Sequence, residues 1–333
     1  MRFNGNTFNI WLPAITLIAV VIGLQPCRGG EGEMIDLHIT EQNLKNHVEV
    51  LTRTIGERSV ARLANLEKSA EYIEAFYRGI EVESTREPYA FKKDTVYNIV
   101  ADVGSGREAS KVFLVGAHYD SLKGTVGADD HASAVAVQLE VARVLAEIMA
   151  ERSLGLTVRF VSFALEEPPA YATWSMGSRV YAKKAKMAGE RIDGMICLEM
   201  VGYSCHEPGC QTYPFPLMFL GYPETGNYIG IVGNYKSRKF TGALFRSFEK
   251  NEALPVVKLT VPWSGYLIPN VRLSDHASFW DRGYKAVMIT DTAFYRNPHY
   301  HRRSDTMEKL DFSFMSQLVV SLVQFFLAEG GSP

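Results

Sequence analysis

Residues able to bind a metal or to transfer a proton follow three predicted buried strands at the points where those strands end. The apolar run KVFLVGA leads to His118 and Asp120, the run TVRFVSFAL leads to Glu166 and Glu167, and the run IDGMICL leads to Glu199. In an open α/β sheet the carboxyl ends of parallel strands meet at one edge, which is where such proteins bind ligands. We therefore expect these side chains to share one site.

A turn between the first two of these strands supplies two further carboxylates. Asp129 and Asp130 lie in the sequence GADDHAS, directly before a predicted helix. An acidic residue at that position commonly caps the helix, so either aspartate alone would be interpreted as a cap. Three strands that end in His or carboxylate residues instead favour a site for a divalent metal such as zinc, which binds imidazole and carboxylate ligands.

The spacing inside two of these motifs indicates separate roles for neighbouring residues. Residues i and i+2 of an extended chain point to the same side, so Asp120 can accept a hydrogen bond from the second ring nitrogen of His118. The adjacent side chains of Glu166 and Glu167 diverge, so one can bind metal while the other faces the attacking water. A metal-assisted hydrolase with a separate general base needs this arrangement.

A histidine ligand is also expected from the C-terminal third of the chain. The candidates are His276 in SDHASFW, and His299 and His301 in RNPHYHRRSDT. Their spacing alone does not choose between them.

The elements that must position these residues alternate between strands and helices. The apolar periodicity predicts strands over 96–103, 111–117, 157–165, 192–198, 228–232, 256–261 and 286–290, and helices over 37–51, 64–77, 132–149, 175–188, 237–250, 274–281 and 312–327. Residues 205–221 and 263–273 are predicted to be surface loops. The alternation predicts an α/β fold, with one domain over 36–330 and a mixed, mostly parallel sheet flanked by helices on both faces.

An apolar segment near the N-terminus is typical of an export signal. Residues 10–24 carry no charge and follow a short segment that contains Arg2. A run of this length suits a signal peptide better than a membrane span, which needs about 20 residues. We therefore predict an exported protein, whether periplasmic, secreted or anchored to the cell envelope. Residues 1–30 would be a signal peptide, an uncleaved membrane anchor or a lipid anchor on Cys27.

The composition excludes several classes of protein. Hydrophobic residues make up 47% of the 333 residues and charged residues 22%, which is ordinary for a globular protein and excludes a disordered chain. A net charge of -2 argues against nucleic acid as a partner, because phosphate binding needs a basic surface. Four cysteines are too few for a disulfide scaffold.

Six motifs, in this order, resemble the co-catalytic di-zinc aminopeptidase family, which also contains glutamate carboxypeptidase-like and glutaminyl-cyclase-like members. The motifs are HYDS, GADDHAS, the EE pair, CLEMVGY, SDHASFW and RNPHYHRRSDT, and the resemblance extends from about His47 to Leu327. It implies a zinc peptidase domain with the zinc-aminopeptidase-like (phosphorylase/hydrolase-like) fold. It also implies two zinc ions, or other divalent transition metals, and a peptide substrate with a free N-terminus.

The resemblance assigns roles to individual positions. It makes His118 and Glu199 ligands of one zinc, Glu167 and His301 ligands of the other, and Asp130 the carboxylate that bridges them. It makes Glu166 the general base for a zinc-activated water. The family's cis peptide after the bridging aspartate would here join Asp130 and His131.

Two positions depart from the family pattern. Glu199 stands where many members have aspartate, and the longer side chain can still reach a zinc. His131 replaces the usual Asn or Asp and would alter the surroundings of the ligands. Asp275 and His276 are expected to support the site without binding metal.

The loops near the site leave two questions open. Cys205 and Cys210 flank a short Pro-Gly loop and, in an exported protein, could close a small disulfide ring, with two free thiols as the alternative. Cys197, inside a strand, is expected to be a buried apolar residue. Tyr203 and Tyr266 lie in loops suited to an oxyanion donor, and the sequence does not choose between them.

Two other functions compete with the aminopeptidase hypothesis. One is a glutaminyl-peptide cyclase of similar fold that uses a single zinc. The other is a non-catalytic binding ectodomain on the same fold, although such proteins usually lose the general base or a ligand and this chain retains all of them. The oligomeric state and the preferred N-terminal residue are not determined by the sequence.

Overall fold

Eight strands and seven α-helices occur in the computed structural model of the chain, which describes residues 35–214 and 221–331. The strands are β1 (Ser84–Phe91), β2 (Asp94–Gly104), β3 (Lys111–His118), β4 (Leu156–Phe163), β5 (Gly194–Glu199), β6 (Ile229–Asn234), β7 (Val256–Val261) and β8 (Ala286–Thr290). The helices are α1 (Leu37–Glu49), α2 (Leu63–Gly79), α3 (Ala134–Glu151), α4 (Gly177–Met187), α5 (Arg238–Phe248), α6 (His276–Asp281) and α7 (Phe312–Gly330).

The strands form one mixed sheet in the order β1-β2-β4-β3-β5-β8-β6-β7. The four central strands β4, β3, β5 and β8 are parallel, so their carboxyl ends lie at the same edge. Antiparallel pairing adds β2 and then β1 on one side and β6 on the other, and β7 runs parallel to β6. The predicted α/β fold with a mixed, mostly parallel sheet is confirmed.

Helices cover both faces of this sheet because its central strands are apolar on both sides. In β3, Phe113 and Val115 belong to a core that includes residues of α1, α2, α3, α5 and α7, whereas Leu114 belongs to a second core with residues of α4 and α6. Successive side chains of a strand point to opposite faces. A continuous apolar run therefore identifies a strand buried between two layers of helices.

Strand β1 is the element that the sequence analysis missed. Its sequence STREPYAF carries charged residues and a proline, and its side chains are mostly half-buried or exposed. Proline is tolerated in a strand at the edge of a sheet, where one side of the backbone has no neighbour. The remaining predicted strands and helices correspond to observed elements, with end points that differ by a few residues.

Within the described part of the chain, one helix is long and apolar enough to cross a membrane by length and composition, namely α7. More than half of its apolar window is buried, and it packs against α1, α3 and α5. Helix α7 is therefore a buried helix in the layer that covers one face of the sheet. The predicted export signal in residues 1–30 lies outside the described residues.

Candidate metal centre

The structure brings all five residues predicted as metal ligands to the carboxyl edge of the sheet. His118 is the last residue of β3 and Glu199 is the last residue of β5, while Glu167 follows β4 after a three-residue interval. Asp130 lies in the turn Ala128–Ser133 that leads into α3, and His301 lies in the loop between β8 and α7. The parallel directions of β3, β4 and β5 thus place ligands that are far apart in sequence at one point.

The potential ligand atoms form two groups that share one aspartate. One group contains His118, Asp130, His131 and Glu199, and the other contains Asp130, Glu167 and His301, with the ligand atoms of each group within 4.8 Å of one another. Asp130 Oδ1 lies 3.7 Å from His118 Nε2, and Asp130 Oδ2 lies 3.1 Å from His301 Nε2. One carboxylate therefore faces both groups, which is the arrangement expected of a bridging ligand.

Burial creates a strong electrostatic demand for positive charge at this site. It raises the pKa of Glu199 to about 8 and that of Glu167 to about 7, because the charged carboxylates lose hydration. The pKa of Glu166 is raised for the same reason. A buried set of imidazole and carboxylate donors fits a divalent transition metal such as zinc, whose charge would offset the lost hydration.

The histidines of the cluster respond to these carboxylates in different ways. Burial lowers the pKa of His301, but its contacts with Asp130 and Glu167 outweigh that effect and raise the pKa to about 10. His118 behaves similarly, since Asp120 and the neighbouring glutamates raise its pKa despite its complete burial. Burial and the nearby His118 lower the pKa of His131.

Asp120 connects the ends of β3 and β4. One of its oxygens lies 3.2 Å from His118 Nδ1, the ring nitrogen that faces away from the cluster. The two carboxylate oxygens also accept hydrogen bonds from the backbone N–H groups of Glu166 and Glu167, at 2.9 and 3.0 Å. Asp120 thus fixes the histidine ligand and the two glutamates relative to one another.

The turn that carries Asp130 is held by residues that the sequence analysis did not select. Asp305 accepts hydrogen bonds from the backbone N–H groups of Asp129 and Asp130, at 2.8 and 3.1 Å. The side chain of Asp129 in turn accepts from Asn297 Nδ2 at 2.6 Å and from the Gly202 N–H at 2.9 Å. Asn297 and Asp305 lie in the RNPHYHRRSDT motif that the sequence analysis quoted, but the sequence did not show which residues they contact.

Arg58 is another residue that sequence reasoning missed. Its side chain is fully buried, and its guanidinium donates to the carbonyl oxygens of Tyr119 at 2.9 Å, Val126 at 2.7 Å and Gly127 at 2.9 Å. Burial lowers its pKa to about 10, so the group remains charged at neutral pH. Arg58 therefore joins the backbone of the HYD motif to that of the GADD turn. Nothing in its local sequence signals this role.

The residues at the start of α6 and just before it lie next to the cluster. Ser274 Oγ donates a hydrogen bond to Glu199 Oε2, while His276 Nε2 lies 2.7 Å from the carbonyl oxygen of Val271. Asp275 is fully buried, and burial raises its pKa to about 6. Neither Asp275 nor His276 belongs to the ligand groups found among the described residues.

The candidate tyrosines differ in their positions. The Tyr266 hydroxyl lies 3.2 Å from Asp281 and its side chain is exposed, while the Tyr203 ring packs edge-on to His299. Tyr300, which the sequence analysis did not consider, stacks on the His301 ring with centroids 3.8 Å apart. Burial and the nearby ligand carboxylates raise its pKa. Tyr300 is thus a third candidate for the oxyanion donor.

Beside the cluster lies a cavity that is lined mainly by apolar and aromatic side chains. Glu199 and Tyr300 form its boundary with the metal centre, and its wall includes strands β6, β7 and β8. The lining residues include Tyr213, Tyr228, Ile231, Val257, Leu259, Met288 and Phe294. The loop on the same side of the sheet contains a disulfide between Cys205 and Cys210, and Cys197 is a buried free thiol as expected.

Comparison with known proteins gives a consistent family assignment. The profile described as "Peptidase family M28" matches residues 98–323. The uncharacterized protein YfbL of Escherichia coli (strain K12) is 35% identical over 294 residues, which are 86% of this chain and 87% of that protein. A probable leucine aminopeptidase of Trichophyton verrucosum is 27% identical over 66% of this chain, which spans only 53% of the fungal protein.

Solved structures share the fold at low sequence identity. LapB from Legionella pneumophila superposes with a TM-score of 0.69 at 19% identity, over 90% of this chain and 73% of that one. Glutaminyl cyclase of Porphyromonas gingivalis has a TM-score of 0.64 at 17% identity, over 89% of this chain and 99% of that one. Both likenesses concern the fold and leave the chemistry to be argued from the site.

We predict that Arg58→Met lowers the free energy of unfolding by about 3–5 kcal/mol, because it leaves several buried backbone carbonyl groups without a hydrogen-bond donor. Chemical denaturation in the presence of a chelator measures this loss separately from metal binding. Arg53→Met is the matched control, since Arg53 is exposed and exposed ion pairs contribute little. Equal stability of the two variants would show that Arg58 does not hold the two loops together.

Proposed function

Because the chain belongs to peptidase family M28, we propose that it is a metallo-aminopeptidase that removes N-terminal residues from peptides. The observation that carries this proposal is the pair of ligand groups that share Asp130, with the buried Glu166 carboxylate beside them. The relatives named as leucine aminopeptidases support an enzyme that acts at a free N-terminus.

In this proposal the two ligand groups hold two zinc ions. His118 and Glu199 would bind one ion, Glu167 and His301 would bind the other, and Asp130 would bind both. When bound, two zinc ions supply Lewis acidity, which polarises the scissile carbonyl and lowers the pKa of a water molecule toward neutrality. Two observations support this assignment. The donors are buried, and the two carboxylate oxygens of Asp130 face different ligand groups.

Glu166 is proposed as the general base. Its carboxylate lies 3.9 Å from His118 Nε2, and its backbone is fixed by the hydrogen bond from its N–H to Asp120. Burial raises the pKa of Glu166, which makes its carboxylate a stronger base than an exposed glutamate. Glu166 would accept a proton from the attacking water and return it to the leaving amine. Asp120 would hold His118 and Glu166 in fixed positions relative to each other.

The cavity beside the metal centre is proposed to bind the side chain of the N-terminal residue. Its position next to Glu199 and Tyr300 places a bound side chain within reach of the site, and its apolar lining favours large apolar residues over charged ones. A substrate with a leucine or phenylalanine N-terminus would bury its side chain there.

Export is proposed as well, with the disulfide as its support. Cys205 and Cys210 are joined in the structure, and disulfides persist in oxidising compartments outside the cytosol. The apolar segment at 10–24 would then direct export, and any attachment to a membrane would be through the N-terminus.

We expect Glu166→Gln to retain its metal and to lower kcat by about 10²–10⁴-fold, because the amide cannot accept the proton. The measurement is hydrolysis of leucyl p-nitroanilide together with metal content by elemental analysis. Glu151→Gln, at an exposed position on α3, is the control and should match the wild type. Full activity of Glu166→Gln would remove it as the base.

The same assay on the wild type tests the whole proposal. Two zinc ions per chain and chelator-sensitive hydrolysis are expected. One zinc ion with cyclisation of N-terminal glutamine peptides in place of hydrolysis would indicate a glutaminyl cyclase. A chain without bound metal would indicate a binding ectodomain.

His301→Ala is expected to lower the zinc content from two ions toward one, because His301 Nε2 lies 3.1 Å from the shared Asp130. His299→Ala should keep both ions, since His299 Nδ1 contacts Ser304 Oγ at 2.9 Å instead. Elemental analysis after gel filtration distinguishes the two variants. The reverse order of zinc loss would contradict the choice of His301 as the ligand.

Gly230→Val is expected to change substrate preference, because Gly230 lies in the wall of the cavity and a side chain there would occupy its space. A Cβ atom at this position meets only ordinary contacts, starting at 3.4 Å from the Thr290 carbonyl oxygen. We expect kcat/KM for leucyl and phenylalanyl anilides to fall by about 10-fold or more, with little change for the alanyl anilide. Equal losses for all three substrates would show that the cavity does not bind the N-terminal side chain.

A further inference from the structure

His131 is a buried histidine whose ring nitrogens lack hydrogen-bond partners in the part of the chain that the structure describes. Its side chain is fully buried directly after the bridging Asp130. Among residues 35–214 and 221–331, neither Nδ1 nor Nε2 of His131 has a hydrogen-bond partner. Because an unsatisfied buried polar group costs about 1–3 kcal/mol, a ring placed in this way calls for a ligand.

The position of the ring indicates what that ligand is. One nitrogen of His131 lies within 4.8 Å of ligand atoms of His118, Asp130 and Glu199. The His131 ring also packs against the His118 ring, with centroids 3.8 Å apart and planes inclined by 35°. The two imidazoles therefore lie side by side at the same group of carboxylates.

We propose that His131 is an additional metal ligand, so that the metal position beside His118 is held by two imidazoles and two carboxylates. This inference rests on the proposed metal centre. The sequence resemblance did not make His131 a metal ligand, because the family usually has Asn or Asp at this position.

The additional ligand makes the two metal positions unequal. The first has four protein ligands, namely His118, His131, Asp130 and Glu199, whereas the second has Asp130, Glu167 and His301. Four protein ligands complete a tetrahedral zinc site, while three leave a coordination position for water or substrate. Imidazole also favours zinc over manganese, which prefers oxygen ligands. The first position should therefore fill first and select zinc, and the second should be the one that exchanges ligands.

Two substitutions separate a role in metal binding from a role in packing. His131→Asn removes the imidazole, and His131→Phe keeps a ring against His118 without a nitrogen. In competition with a chromogenic chelator, both variants should bind one of the two zinc ions more than about 100-fold more weakly, which exceeds the effect usual for residues that only support a ligand. Binding of the other ion should change by less than about 3-fold.

Three controls identify which position is affected. His299→Asn makes the same substitution outside the cluster and should leave both affinities unchanged. His301→Ala should weaken the ion that the His131 variants leave intact. In mixtures of zinc and manganese, His131→Asn should raise the share of bound manganese relative to the wild type.

Cobalt substitution reports the ligands directly. The N–H proton of each imidazole bound to Co²⁺ gives its own hyperfine-shifted, exchangeable proton NMR signal. We expect signals from His118, His131 and His301 in the wild type and the loss of one signal in each His131 variant.

The outcomes separate this inference from the proposed function. A wild-type chain that binds no metal would overturn both. Two bound ions with unchanged affinities in His131→Asn, or two histidine signals in the wild type, would overturn the His131 assignment alone. If His131→Phe does not fold, His131→Asn and the wild-type cobalt spectrum still decide the question.

Discussion

The concentration of buried negative charge is the constraint on which this site depends. Asp130, Glu166, Glu167 and Glu199 converge at one edge of the sheet, and burial raises the pKa of each of the three glutamates above its usual value. Buried carboxylates are tolerated only where cations or hydrogen-bond donors compensate for lost hydration. Within the protein, Ser274 donates a hydrogen bond to Glu199, and backbone N–H groups donate to the neighbouring Asp120 and Asp305. The carboxylates and imidazoles of the cluster suit divalent metal ions. Binding metal would therefore also stabilise this edge of the fold.

The order and direction of the strands solve the geometric part of that problem. Since β4, β3 and β5 are adjacent and parallel, their last residues lie side by side, and the turn before α3 lies over them. Asp120 and Asp305 then fix the turns through backbone hydrogen bonds, which are short and directional. Side chains held by such contacts keep their positions without metal and need little rearrangement to bind it.

The fold is shared with aminopeptidases and glutaminyl cyclases of other organisms, so it does not select the reaction. Selection lies in the details of the site, namely how many ligands serve each metal position and what the neighbouring cavity accepts. Under the proposed function, the apolar cavity bounded by Glu199 and Tyr300 would distinguish substrates by the size of their first side chain. With His131 as a ligand, as proposed, the two metal positions would be unequal.

The sequence by itself determined the α/β class, the central strands, the residues at their ends and the family, because these follow from local apolar runs and from motifs that are continuous in the chain. It did not identify β1, whose half-exposed pattern carries little apolar signal. Nor could it select Arg58 or Asp305, because their partners lie more than 60 and 170 residues away. Spacing alone left His276, His299 and His301 open. The family resemblance selected His301, and the structure places His301 next to Asp130 while His276 and His299 contact other groups. Local patterns fix which elements form, whereas the choice of partner depends on packing between distant segments, and only the tertiary structure contains that information.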